Sequence, residues 1–214
     1  MPVPVKICGL TRPEAVAAAV AGGAAFVGFV FYPRSPRAVM PEVAGQLAAA
    51  VPKGVTKVGL FVDADDATIA RVLAAVPLDL LQLHGHETPE RVAAIRARFG
   101  VPVMKVLPVA EPGDVEAADR YAPAVDRLMF DSRPPRRPDA LPGGNGLPFD
   151  WRLMAGRRWP VPWMLAGGLT PENVAEAVRL TGAEAVDVSS GVEDAPGVKN
   201  VGKIAAFLAA ARAA

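Results

Sequence analysis

Short runs of β-branched and large apolar residues alternate along this chain with longer, alanine-rich stretches whose apolar positions recur at helical spacing. In the first half the strand-like and helix-like segments pair as 5–7 with 12–21, 26–31 with 41–51, 57–62 with 66–75, and 78–83 with 88–98. The second half continues with 101–106 and 112–121, 126–130 and 150–156, 162–166 and 171–180, and 185–189 and 199–212. Strand-then-helix alternation calls for a parallel sheet covered by helices. Eight such units closing on themselves predict the α/β class and a (β/α)8 TIM barrel, one domain over residues 1–214.

Three helix starts carry the same local signal: Thr11 with Pro13 and Glu14, Thr88 with Pro89 and Glu90, and Thr170 with Pro171 and Glu172. Each places a hydroxyl at the cap, proline early in the first turn and a carboxylate near the positive end of the helix. Asp63 and Asp65 are expected to cap the third helix. The sixth unit differs, because residues 132–150 are rich in Pro, Gly and Arg and too long for an ordinary connection. In a barrel this loop follows strand six on the active-site face, so it reads as a substrate lid.

Composition narrows the class. Half of the 214 residues are apolar, enough for one sizeable core, and 23 Lys and Arg against 22 Asp and Glu leave a net charge of +1. No basic surplus is gathered for a phosphate backbone, so nucleic acid is not an expected partner. The apolar runs are too short for a membrane span, no signal-peptide core opens the chain, and a single cysteine excludes an internal disulfide. A cytoplasmic protein is expected.

In a barrel the chemistry sits at the C-terminal ends of the strands. Gly167 and Gly168 end strand seven, and Ser189, Ser190 and Gly191 end strand eight, so backbone N–H groups and hydroxyls of adjacent loops can converge on a phosphate dianion. Cys8 ends strand one and Asp131 ends strand six, flanking that cradle from opposite sides with a thiol and a carboxyl. Such a pair suits acid–base catalysis, although either residue can equally be a small buried hydrophobe or a loop-ordering carboxylate. Arg34 and Arg37 follow strand two, where one arginine can grip a carboxylate with its planar fork. Gln82 and His84 lie at the mouth of strand four as polar contacts. His84 and His86 match no metal-ligand spacing, and no metal is expected.

Taken together, VKICGLT at 5–11, GFVFYPRSPR at 28–37, VGLFVD at 58–63, LLQLHG at 80–85, FDS at 130–132, GGNGLPFDW at 143–151, LAGGLTPENV at 165–174, AVDVSSGVE at 185–193 and the following PGVKN resemble phosphoribosylanthranilate isomerase, a barrel enzyme of tryptophan biosynthesis. The resemblance implies a cofactor-free, metal-free Amadori rearrangement of a phosphorylated sugar substrate. It places the general base on Cys8, the general acid on Asp131, the anthranilate carboxylate on Arg37 and the phosphate on Gly167, Gly168, Ser189, Ser190 and Gly191. Ala166 stands where relatives commonly carry serine. Indole-glycerol-phosphate synthase, a neighbouring phosphate-binding barrel, would need a lysine at the mouth, whereas Lys57 opens strand three at the other end. A catalytically silent phosphate-binding barrel is the alternative of another class, and self-association into a homodimer stays open. Because side chains alternate along a strand, Lys6 shares the face of Cys8, and Asp187 on the adjoining strand eight is the expected partner of its buried ammonium.

Overall fold

The computed structural model describes residues 2–135 and 141–214. Eight parallel strands form one closed barrel in chain order: β1 (Val5–Cys8), β2 (Phe26–Val30), β3 (Thr56–Phe61), β4 (Leu80–Leu83), β5 (Val103–Val109), β6 (Arg127–Ser132), β7 (Trp163–Leu165) and β8 (Val186–Val188). Strand β8 closes onto β1 in a register that sets Lys6 opposite Asp187. Helices α1 (Pro13–Ala21), α2 (Pro41–Ala49), α3 (Asp66–Ala75), α4 (Pro89–Phe99), α5 (Pro112–Glu116), α6 (Ala118–Tyr121), α7 (Val174–Thr181) and α8 (Val201–Arg212) cover the outside. The expected (β/α)8 barrel is the observed fold.

Alternation along the strands makes two cores. Outward-facing Ile7, Val27, Phe29, Leu81, Leu128 and Phe130 meet the apolar faces of the helices. Inward-facing Val58, Leu80, Met104, Val106, Met129 and Met164 fill the barrel itself, as tapering interiors of this fold require. Behind β6, Phe130, Trp159 and Trp163 form a three-ring cluster with centroids 4.6 Å apart for Phe130–Trp159 and 5.3 Å for the tryptophan pair. These side chains pack the barrel below its mouth.

Several local expectations differ from the structure. Thr88 caps α4 by accepting the Arg91 N–H and Asp65 caps α3 by accepting that of Thr68, but Thr11 caps nothing, since α1 is entered through Arg12 without a side-chain cap. Helix α7 starts later than Thr170, because Asn173 folds the preceding residues into a turn: its Oδ1 accepts the Thr170 N–H at 2.7 Å and its Nδ2 donates to the Gly168 carbonyl at 2.9 Å. Asp63 is no cap either. It sits at φ +48°, in the left-handed region that Asp tolerates, and accepts the N–H of His86. The helix expected at 112–121 breaks at Ala117 into α5 and α6. That expected at 150–156 is a single 3-10 turn, Trp151–Met154, stopped by left-handed Gly156. A hairpin that no periodicity announced, β9 (Glu193–Ala195) with β10 (Val198–Lys199), lies between β8 and α8.

Candidate active site

Cys8, Arg37, Gln82, His84, Asp131 and Ser189 all line one cavity of about 470 Å³, its solvent-open mouth included, at the C-terminal end of the barrel. Side-chain parity explains this: Lys6 and Cys8 on β1, Gln82 on β4, Asp131 on β6 and Asp187 on β8 all point inward. The expected interior pair is present, with Lys6 Nζ 2.9 Å from Asp187 Oδ1 and the lysine fully buried. Gly28 on β2 makes the room. A Cβ there would stand 3.0 Å from Lys6 Nζ and 3.1 Å from Cys8 Sγ, so the bare backbone lets ammonium and thiol share one corner of the barrel.

Electrostatics in that corner are opposed. Burial pushes the Cys8 thiol up from its usual value, Lys6 pulls it back, and Asp187 adds to the rise; the net direction is upward. Burial disfavours the Lys6 charge, yet Asp187 and Cys8 outweigh it and hold the ammonium more firmly protonated than a free lysine. Lys6 thus favours the Cys8 thiolate, but burial and the Asp187 charge together outweigh it.

Asp131 faces Cys8 from the other wall. Its Oδ1 accepts the N–H of Ser132 at 2.8 Å, and its Oδ2 lies 3.5 Å from His84 Nε2. The other ring nitrogen of His84 is 3.3 Å from Gln82 Nε2, and that amide also donates to Met129 Sδ at 3.7 Å. Gln82 Oε1 is buried without a partner among the described residues, a polar atom available at the cavity floor.

Of the two candidate arginines, Arg34 is exposed and Arg37 is buried in the site. Its fork is already engaged: Nε and Nη2 donate to the two oxygens of Glu193, each at 2.8 Å, which leaves Nη1 without a hydrogen bond among the described residues. The expected two-point grip on an incoming carboxylate is thus taken by an internal one, and a substrate can meet Arg37 end-on. Glu193 Oε1 also accepts Lys199 Nζ at 2.7 Å, and that ammonium donates to the Ser189 carbonyl at 2.8 Å. Residue reasoning assigned no role to Glu193 or Lys199. Their only signal was their place in the SSGVE and PGVKN segments.

The phosphate candidates also converge. Gly146, Gly167, Gly168, Ser189, Ser190 and Gly191 line an adjoining cavity of about 310 Å³. Gly167 and Gly168 have φ of +85° and +66°, and a Cβ on Gly168 would lie 2.5 Å from the backbone nitrogen of Pro148. Both the turn and the close approach need glycine. After β8 a 3-10 turn runs Ser190–Val192; the N–H groups of Ser190 and Gly191 precede its first internal bond and have no acceptor among the described residues.

The loop after β6 reaches over this face. Residues 136–140 of the expected lid lie outside the described residues, but 141–146 are placed beside the site. A Cβ on Gly143 would be 2.7 Å from Asp131 Oδ2, and the Gly144 carbonyl accepts Arg37 Nη2 at 3.3 Å.

A closed eight-stranded barrel with a thiol and a carboxyl across its mouth and a glycine-lined anion cradle beside them defines the class, a TIM-barrel enzyme site for a phosphorylated small molecule. Within that class the chain belongs to the N-(5'-phosphoribosyl)anthranilate isomerase family, whose family model matches residues 5–210. It is 63% identical over 213 residues to N-(5'-phosphoribosyl)anthranilate isomerase of Rhodospirillum centenum, covering 100% of both chains. To the enzyme of Paramagnetospirillum magneticum it is 61% identical, over 99% of this chain and 98% of the relative. The crystal structure of phosphoribosyl anthranilate isomerase from Thermotoga maritima superposes with a TM-score of 0.88 at 37% identity, covering 99% of this chain and 100% of that one. Another solved relative, with TM-score 0.84, 36% identity and the same coverage, is in complex with reduced 1-(o-carboxyphenylamino)-1-deoxyribulose 5-phosphate.

Proposed function

We infer that this protein isomerises N-(5'-phosphoribosyl)anthranilate to 1-(2-carboxyphenylamino)-1-deoxyribulose 5-phosphate by an Amadori rearrangement, a step of tryptophan biosynthesis, and does so in the cytoplasm. The observation that carries the reading is the facing of Cys8 and Asp131 across one cavity that adjoins the glycine cradle, in a chain of this family. The barrel of residues 1–214 is the working unit. A homodimer is part of the proposal, on the precedent of a Thermotoga maritima relative described as dimeric; sedimentation of the purified chain checks it.

The phosphate is held by the turns after β7 and β8, and the anthranilate carboxylate meets Nη1 of Arg37. Asp131 enters as the neutral acid and gives its proton to the ribose ring oxygen. The C1–O bond breaks, and the nitrogen lone pair forms the cationic Schiff base. Cys8 as thiolate then removes the proton from C2, and the electron pair left behind neutralises the iminium to an enolamine. Loss of the C2 hydroxyl proton and gain of one at C1 give the ketone. The cationic intermediate beside Cys8 adds to Lys6 in favouring the thiolate against its burial. Backbone of residues 141–146 over the mouth keeps bulk water from the iminium.

Decay of the substrate's fluorescence with appearance of the deoxyribulose product tests the reading directly. Turnover by the intact chain that disappears in Cys8→Ala is expected; phosphate-analogue binding without turnover would establish a silent barrel instead.

A further inference from the structure

The charged groups that face Cys8 do not cancel. Lys6 on β1 is matched by Asp187 on β8 at 2.9 Å. Arg37, after β2, and Lys199 on β10 both draw on the single carboxylate of Glu193 on β9, at 2.8 Å and 2.7 Å. Three cations thus meet two carboxylates on this wall, and the side chains of Arg37, Glu193 and Lys199 are all at most 5% exposed. The other groups near the thiol are Tyr32, which packs against the small cluster of Cys8, Val30 and Leu60, and the Asp131 and His84 pair across the cavity. A buried wall with one positive charge in excess favours an anion within it.

Lys199 is tied to the backbone of Cys8 through a chain of bonds. Its ammonium donates to the Ser189 carbonyl at 2.8 Å and to the Ser189 hydroxyl at 3.2 Å, and that hydroxyl donates to the Cys8 carbonyl at 3.3 Å. Arg37, by contrast, has Nη1 turned to the substrate's carboxylate, which would neutralise it. We propose that Lys199 is a positioning residue for the base: its ammonium behind Ser189, which shares the one Glu193 carboxylate with Arg37, adds to Lys6 in favouring the thiolate form of Cys8. The proposal rests on the reading of Cys8 as the base. It agrees with the mutual influence of the two groups, each favouring the other's charge against its own burial.

Cys8 is the only cysteine of the chain, so the pH dependence of its alkylation by iodoacetamide reads its ionisation without background. Lys199→Gln keeps a hydrogen-bonding side chain and deletes the charge. The alkylation midpoint should move up by about one pH unit. At neutral pH kcat should then fall about tenfold as the thiolate fraction drops, with KM little changed. Lys199→Arg, which keeps the charge, should hold the midpoint near that of the unmodified protein. An unmoved midpoint in folded Lys199→Gln overturns the proposal. So does a rise in KM alone, which would mark Lys199 as a support for Glu193 and Arg37.

Should the Gln variant fail to fold, the reciprocal measurement needs only Cys8→Ala. The Lys199 ammonium, followed by nitrogen-15 NMR, should lose its proton at lower pH in that variant than in the unmodified chain; identical titrations would sink the coupling. Turnover retained by Cys8→Ala would instead remove the base assignment itself, an outcome separate from either titration.

Discussion

The two walls of the cavity are built on different principles. The wall formed by β1, β8 and the β9–β10 hairpin gathers Lys6, Arg37, Asp187, Glu193 and Lys199 around one thiol, all within hydrogen-bonded ion pairs. The wall formed by β4 and β6 holds Asp131 with a histidine, an amide, a serine and a thioether, and contains no lysine or arginine in contact with the carboxylate among the described residues. On the proposed reading the base stands among ion-paired cations, whereas the acid stands among neutral polar groups. The division of labour lies in the surroundings more than in the two side chains.

The largest effect should come from removing the reacting groups themselves. Cys8→Ala and Asp131→Asn are each expected to lower kcat by about 10²–10⁴-fold while binding of a substrate analogue is retained. Parallel loss of binding would make both residues architectural and dissolve the contrast.

Lys6→Met comes next and probes the cationic wall alone. It leaves Asp187 buried and unpaired, so unfolding should show a loss of about 3–5 kcal/mol, with a higher thiol pKa by alkylation. The double variant Lys6→Met with Asp187→Asn should recover much of the stability and, because the Asp187 charge itself pushes the thiol up, part of the thiol shift. An unmoved thiol pKa in folded Lys6→Met would mean that packing, and not charge, is what Lys6 supplies.

Arg37→Lys should raise KM about tenfold, since lysine replaces neither the planar fork on Glu193 nor Nη1, while Arg34→Lys at the exposed position changes little. Equal responses would move the carboxylate contact off Arg37.

The smallest expected effect is on the acid limb of stability. Burial opposes the Glu193 charge, but Arg37 and Lys199 outweigh it and hold its carboxyl below the ordinary value of 4.5. Its contribution is therefore complete above pH 4.5 and is lost as pH falls through the lower folded value. Glu193→Gln should flatten that part of a stability-versus-pH curve measured by denaturant unfolding.

How much of this was legible in the chain depended on period. Two-residue alternation and helical spacing reveal β1–β8 and most helices, and parity then places Cys8, Lys6 and Asp187 on one face. Nothing periodic marks β9 and β10, because three- and two-residue strands around a glycine turn bury no regular stripe. Glu193 and Lys199 were therefore invisible as a site, although the long-range pairing with Arg37 makes them part of it. Capping signals were right where the side chain had a free N–H to reach, at Asp65 and Thr88, and wrong where a tertiary turn intervened, as Asn173 does at Thr170.

Gly28 bears no functional group, yet its bare backbone leaves room for an ammonium and a thiol in one corner of the barrel. In the currency of inheritance, a single methyl group there would stand 3.0 Å from one and 3.1 Å from the other, and one of the two would have to give way. An empty place in the chain is thereby as much a part of the chemistry as the residues that fill the places around it.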